Sequence, residues 1–163
     1  MSPSMLSSSP SPSAPRPPMF GTLDRNECLT LLTRHDVGRI AYAFHDRVDI
    51  EPINYFYHDG WLYGRTSQGA KLETTAHNRW VAFEVDEVRG PFDWASVVVH
   101  GTFARLDLDA ATKDERLAAA LGAGLLQNVV PNTLAIGDPV PERTVLFRIH
   151  LDEVTGRRAV PTS

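Results

Sequence analysis

Between Tyr63 and Thr75 the chain reads YGRTSQGAKLETT, which places Arg65, Thr66, Ser67, Gly69 and Lys71 within a few positions of one another. That set suits an anion, above all a phosphate. Arg65 offers a planar fork of donors and Lys71 a compact charge. Hydroxyl groups at Thr66 and Ser67 add neutral donors, and Gly69 lets a ligand approach the backbone closely. A helix starting near residue 70 would add the favourable end of its dipole. On residue types alone, a solvated hairpin exit with two scattered cations accounts for the stretch at least as well.

A second stretch, EPINY (51–55), interrupts an apolar run with Pro52. Proline donates no N–H to a ladder, so it belongs at an edge, at a bulge or beside a special contact. Neighbouring backbone groups are then free to bond a ligand, and Asn54 adds a two-way amide. An edge strand with a solvent-facing Asn54 is an equal alternative. Other chemistries find little support. The six histidines (35, 45, 58, 77, 100 and 150) show no metal-ligand spacing. No G-x-S-x-G elbow, G-x-G-x-x-G loop or Walker sequence occurs. Tyr55, Tyr57 and His100 could donate protons, with structural roles as the simpler reading, and no residue declares itself a general acid or base.

These stretches need elements to hold them. Asp24 and Glu27 form a capping box that predicts a helix over 24–35 with Cys28, Leu31 and Leu32 inward and Leu23 stapled onto Cys28. Strands are expected at 37–44, 48–57, 61–65, 80–88, 94–108 and 144–151, with a short edge piece at 155–160. Asp59-Gly60 marks a type I′ hairpin, and Gly101 marks a bulge or bend. Residues 70–77 make one or two helical turns. A second helix is expected from a cap at Asp109 to about Leu121, burying Leu117, Ala120 and Leu121, and 122–142 reads as loop. Six or so antiparallel strands with peripheral helices suggest a mainly β (α+β) fold built as a small barrel.

Composition frames the rest. Of the first 19 residues, 13 are Ser or Pro, so 1–19 reads as a disordered tail and 20–163 as one folded domain. A formal charge of −4 argues against a general nucleic-acid binder. No apolar run reaches the length of a membrane span. The single cysteine, Cys28, excludes an internal disulfide and suits a reducing cytoplasm.

Taken in order, VGRIAYAF, DIEPINYFYHDGWLYGRTSQGAKLETT, WVAFEVDEV, WASVVVHG and FRIHLDEVTGRR resemble the pyridoxamine 5′-phosphate oxidase-like, FMN-binding split-barrel flavoproteins. The likeness is strongest to the small bacterial branch that includes nitroimidazole-resistance proteins, and it spans residues 24–158. It implies a homodimeric six-stranded split β-barrel with FMN at the subunit interface and two-electron chemistry on a small organic molecule. By the same resemblance Arg65, Thr66, Ser67, Gly69 and Lys71 would hold the phosphate, with Leu72 packed beside it. Backbone from Glu51 through Pro52, Ile53 and Asn54 would face the flavin ring. Ser96 and Val97 would approach from the other subunit, with Trp94 near the ring. The ending TGRRAVPTS lacks the Arg-x-His-type terminus of true pyridoxamine phosphate oxidases, so that substrate is not implied. Alternatives within the resemblance are a non-catalytic flavin- or haem-binding module and a reductase using a deazaflavin coenzyme.

Overall fold

A computed structural model describes residues 14 and 16–162 of the chain. The tail read over 1–19 therefore falls largely outside the described residues, and Met19 already opens the first strand. In chain order the elements are β1 (Met19–Leu23), α1 (Arg25–Arg34), β2 (Val37–Phe44), β3 (Arg47–His58), β4 (Trp61–Thr66) and α2 (Ala70–His77). There follow β5 (Trp80–Gly90), β6 (Asp93–Leu106), α3 (Lys113–Leu126) and β7 (Val145–Val160). All pairings are antiparallel.

The strands run β1-β7-β4-β3-β2-β5-β6, and a further β7–β6 pairing closes all but β1 into a six-stranded ring. One strand makes the split. Along one edge β7 pairs with β4 over Val145–His150 and with β1 over Gly156–Val160. Its other edge follows β6 through both halves. The two pieces expected at 144–151 and 155–160 are thus one strand, because β6 gives them a continuous partner that sequence periodicity could not reveal. Where β7 and β6 slip register beside Gly101, a Cβ on that glycine would overlap the carbonyl of His150. Gly101 is the expected bulge, and a close approach is its reason.

Alternation along the strands fills the barrel with Ile40, Tyr55, Phe83, Val85, Val97, Val99, Phe147 and Ile149, each no more than 1% exposed. Helix α1 packs Cys28, Leu31 and Leu32 into the same core, and its capping box forms in both directions at 2.8 Å. Tyr55 fixes the helix from inside, its hydroxyl donating to the Leu32 carbonyl at 2.6 Å. Asp59 and Gly60 both take positive φ, 45° and 82°, as a type I′ turn requires.

Helix α3 departs from expectation. Its cap is Thr112, whose hydroxyl accepts from the Glu115 N–H, whereas Asp109 lies in the preceding turn. The helix runs on to Leu126. It buries Ala119, Gly122 and Leu126, leaving Leu117 56% and Leu121 45% exposed. The physical reason is proximity. A Cβ at Gly122 would stand 2.8 Å from the Tyr63 ring, so the helix meets β4 through Gly122 and Ala119 rather than through Leu117 and Leu121.

Candidate functional site

At the end of β4 the alternation places Gly64 toward the barrel and Arg65 away from it. Without a side chain at 64, the Phe147 ring fits beneath the strand; a Cβ there would meet it at 2.6–3.2 Å. Phe147 in turn stacks on Phe103 with centroids 4.7 Å apart. Beyond β4 the chain turns at Ser67–Gly69 and enters α2, where Gly69 stands at the cap with no side-chain bond to the first turn. This turn, the neighbouring part of β3 and the approach to β7 enclose a cavity of about 460 Å³.

Its walls come from four segments: Tyr42; Glu51, Pro52 and Ile53; Arg65 through Gly69 with Lys71; and Arg143. The β3 wall is an open edge. β3 pairs with β2 over Arg47–Asn54 and with β4 only from Tyr55 to His58, so, among the described residues, 51–54 have no strand on the cavity side. Pro52 sits in that open edge.

The charges lining the cavity are largely paired. Lys71 is 5% exposed; its ammonium pairs with the Glu51 carboxylate, lies 3.5 Å from Thr66 Oγ1, and sits 5.8 Å from the Phe147 ring centre. Tyr42 donates a long bond of 3.5 Å to the other Glu51 oxygen. Burial, followed by the nearby Glu51 charge, pushes the Tyr42 phenol up, which keeps it a donor. Arg65 is buried and grips Asp138 with both terminal nitrogens, at 2.5 and 2.7 Å. Those bonds, together with the Val140 and Leu134 N–H groups, hold the Asp138 carboxyl well below the usual carboxylate range against the opposing effect of burial.

Of the residues singled out from the sequence, Glu51, Pro52, Ile53, Arg65, Thr66, Ser67, Gly69 and Lys71 meet at this cavity. Leu72 packs on the barrel core beside it. Asn54 shares its register position with Val37. Trp94 and Ser96 lie elsewhere on this chain. Trp94 is 6.4 Å from Phe20, and Ser96 donates to Glu84 at 2.9 Å. Val97 is wholly buried in the barrel, so only its backbone could meet a ligand. Tyr42, Arg143 and Asp138 were not anticipated. They sit on a core strand and in a loop and follow no periodic pattern that would single them out.

The potential proton donors also have settled places. Tyr55 is buried and bonded to Leu32, and burial pushes its phenol well above the ordinary value. The Tyr57 hydroxyl accepts the Gly60 N–H, and His100 is exposed on the outer sheet face. Among the described residues no group of three or more His, Cys, Asp or Glu is placed to hold a metal ion, and no helix is long and apolar enough to cross a membrane.

The profile of the pyridoxamine 5′-phosphate oxidase family matches residues 24–158. An uncharacterised protein of Rhizobium meliloti (strain 1021) is 30% identical over 145 residues, covering 84% of this chain and 93% of its own. Among solved structures, a FAD-binding protein from Mesorhizobium loti superposes with a TM-score of 0.68 at 30% identity, covering 85% of this chain and 97% of that one. A FAD-binding protein from Mycobacterium smegmatis gives 0.61 at 27%, covering 86% and 98%.

Proposed function

This chain belongs to the pyridoxamine 5′-phosphate oxidase family, and from that premise we propose that its cavity receives the phosphate end of a flavin nucleotide. The observation that carries this reading is the cavity itself. It brings the open edge at Glu51–Ile53, which the resemblance sets against a flavin ring, next to the Arg65–Lys71 turn, whose residue types suit a phosphate. The donor set fits: hydroxyls at Thr66 and Ser67, a side-chain-free Gly69, and cations at Lys71 and Arg143. FMN is the nucleotide that the family resemblance implies. FAD is the second reading, favoured by the two relatives described as FAD-binding.

When bound, a flavin supplies two-electron redox chemistry, here proposed to act on a small organic molecule. The protein's share is to hold the nucleotide. Lys71 and the hydroxyl turn meet the phosphate, the β3 edge presents backbone groups to the ring, and Ile53 and the adjoining core keep water from that side. No side chain stands out as proton carrier.

The proposed assembly is a homodimer with the nucleotide at its interface. What supports it is the outer face of β2, β3 and β5, which is exposed in a single chain. There Val48, Ile50 and Trp80 are 64–70% exposed around Ala41 and Ala82. A second subunit would cover that face and bring its own Trp94–Val97 segment to the cavity. Native mass spectrometry and the absorption spectrum of the purified protein test both parts. A flavin band, a bound mass of FMN or FAD and a dimer are the expected result. A haem Soret band, a deazaflavin mass, or apo-protein that takes up neither nucleotide overturns the reading.

A further inference from the structure

The cations at the cavity differ in whether they are free to act. Lys71 and Glu51 cancel, as do Arg65 and Asp138. The Arg65–Asp138 pair is sealed, each side chain being only 4% exposed. Asp138 also accepts from the backbone N–H of Leu134 at 2.9 Å and of Val140 at 3.0 Å, and Arg65 Nη1 reaches the Arg143 carbonyl at 3.3 Å. Together these bonds fasten residues 134–143 to the end of β4. Arg65 cannot trade Asp138 for a ligand without stranding a buried carboxylate.

That fastened segment carries Arg143 to the cavity wall. Its carbonyl is held by Arg65, while its guanidinium has no hydrogen-bond or ion-pair partner among the described residues. It is half-buried, so its fork is already partly desolvated. With the other pairs cancelling, Arg143 leaves the cavity one net positive charge.

We propose that Arg143 is the residue that captures the anionic group of the ligand, and that Arg65 with Asp138 acts as the clasp that positions it. The inference rests on the reading of the cavity as a phosphate site, and it divides two arginines that look alike in sequence into a binding residue and a positioning residue. A free guanidinium fork pairs with two phosphate oxygens through parallel, coplanar bonds, a geometry that the compact ammonium of Lys71 does not offer.

The test uses the full chain, with inorganic phosphate, FMN and riboflavin as probes. Arg143→Gln keeps a half-buried polar side chain and should fold as the parent does. Phosphate should raise the melting temperature of the parent but not of Arg143→Gln. FMN affinity, followed by fluorescence quenching, should fall tenfold or more, while riboflavin, which has no phosphate, binds both alike. Asp138→Asn should weaken FMN binding through Arg143, so adding Arg143→Gln to it should cost nothing further. Parent-like phosphate and FMN binding by Arg143→Gln overturns the proposal, as do an equal loss of riboflavin and full additivity of the two substitutions. If the parent binds phosphate through Arg143 but no flavin, the flavin reading falls and this one stands. If flavin binds and Arg143→Gln leaves it unchanged, the reverse holds.

Discussion

Lys71→Met separates the charge of Lys71 from its packing. The residue is 5% exposed, and its stem runs by Phe147 toward an ammonium paired with Glu51. Methionine keeps that stem, so the fold should tolerate it. Glu51 keeps 41% of its side chain exposed and can fall back on water once its partner is gone. A bound phosphate loses more. It forfeits a charge-assisted bond worth about 1.5–3 kcal/mol. It also faces an unneutralised Glu51; at about 6 Å, and with an effective dielectric of about 40 for so exposed a carboxylate, one unit of repulsion is roughly 1.4 kcal/mol. The sum corresponds to a loss of FMN affinity of about 10²–10³-fold.

The same reasoning fixes the sign of the partner substitution. Glu51→Gln removes the competitor for Lys71, so FMN should bind about tenfold more tightly than to the parent. In the double variant, Glu51→Gln should recover about tenfold of what Lys71→Met lost. Titrating apo-protein with FMN for the parent, both single variants and the double variant closes the cycle, and riboflavin serves as the phosphate-free control. Weaker binding by Glu51→Gln would show that the carboxylate orients Lys71 rather than competing for it. Lys71→Met with parent-like affinity would remove Lys71 from the phosphate altogether.

Three further outcomes follow from the packing. Gly101→Ala drives a Cβ into the His150 carbonyl at the β6–β7 seam and should cost about 1–3 kcal/mol; Gly90→Ala, with open space around it, is the control in a thermal melt. Asp138 has a carboxyl pKa depressed by folding, so its contribution is present above the unfolded value near about 3.9 and fades as pH falls below it. The melting temperature of Asp138→Asn should therefore trail the parent at neutral pH, and a gap that stays constant down to pH 3 refutes that account. Ile50→Asp sits on the exposed sheet face, 67% exposed in a single chain, so it should leave monomer stability unchanged and abolish the proposed dimer in light scattering. A persistent dimer places the interface elsewhere.

What the sequence made legible was mostly local. The Asp24–Glu27 capping box, the Asp59-Gly60 turn and the core face of α1 each depend on residues a few positions apart, and each is present. The phosphate-suited turn and the proline-broken strand were also visible, because residue type alone marks them. Contacts made across the fold were not visible. Leucine spacing on α3 pointed to the wrong face, since what decides the matter is how closely Gly122 lets the helix approach Tyr63. The continuity of β7 depends on β6, some fifty residues away in sequence. Arg65 meets Asp138 at a separation of 73 positions, within a loop whose residues carry no periodic signal.

That long-range pair changes how the anion site must be understood. Two buried cations with no partners would be expensive to fold around: Lys71 would lose its charge, and Arg65, which stays protonated, would draw in water. This chain avoids that by giving each buried cation a carboxylate, but the two pairs are built differently. Asp138 is as buried as Arg65 and is fixed by two backbone amides, so that pair is permanent and holds a loop in place. Glu51 is partly exposed, and no backbone amide among the described residues is bonded to its carboxylate, so on the proposed reading it would leave Lys71 when a phosphate arrives. Charge count alone would rank Arg65 and Lys71 as equal ligands. Burial of their partners separates them, and on the proposed reading the exchangeable lysine and the unpaired Arg143 are the cations that would meet the ligand.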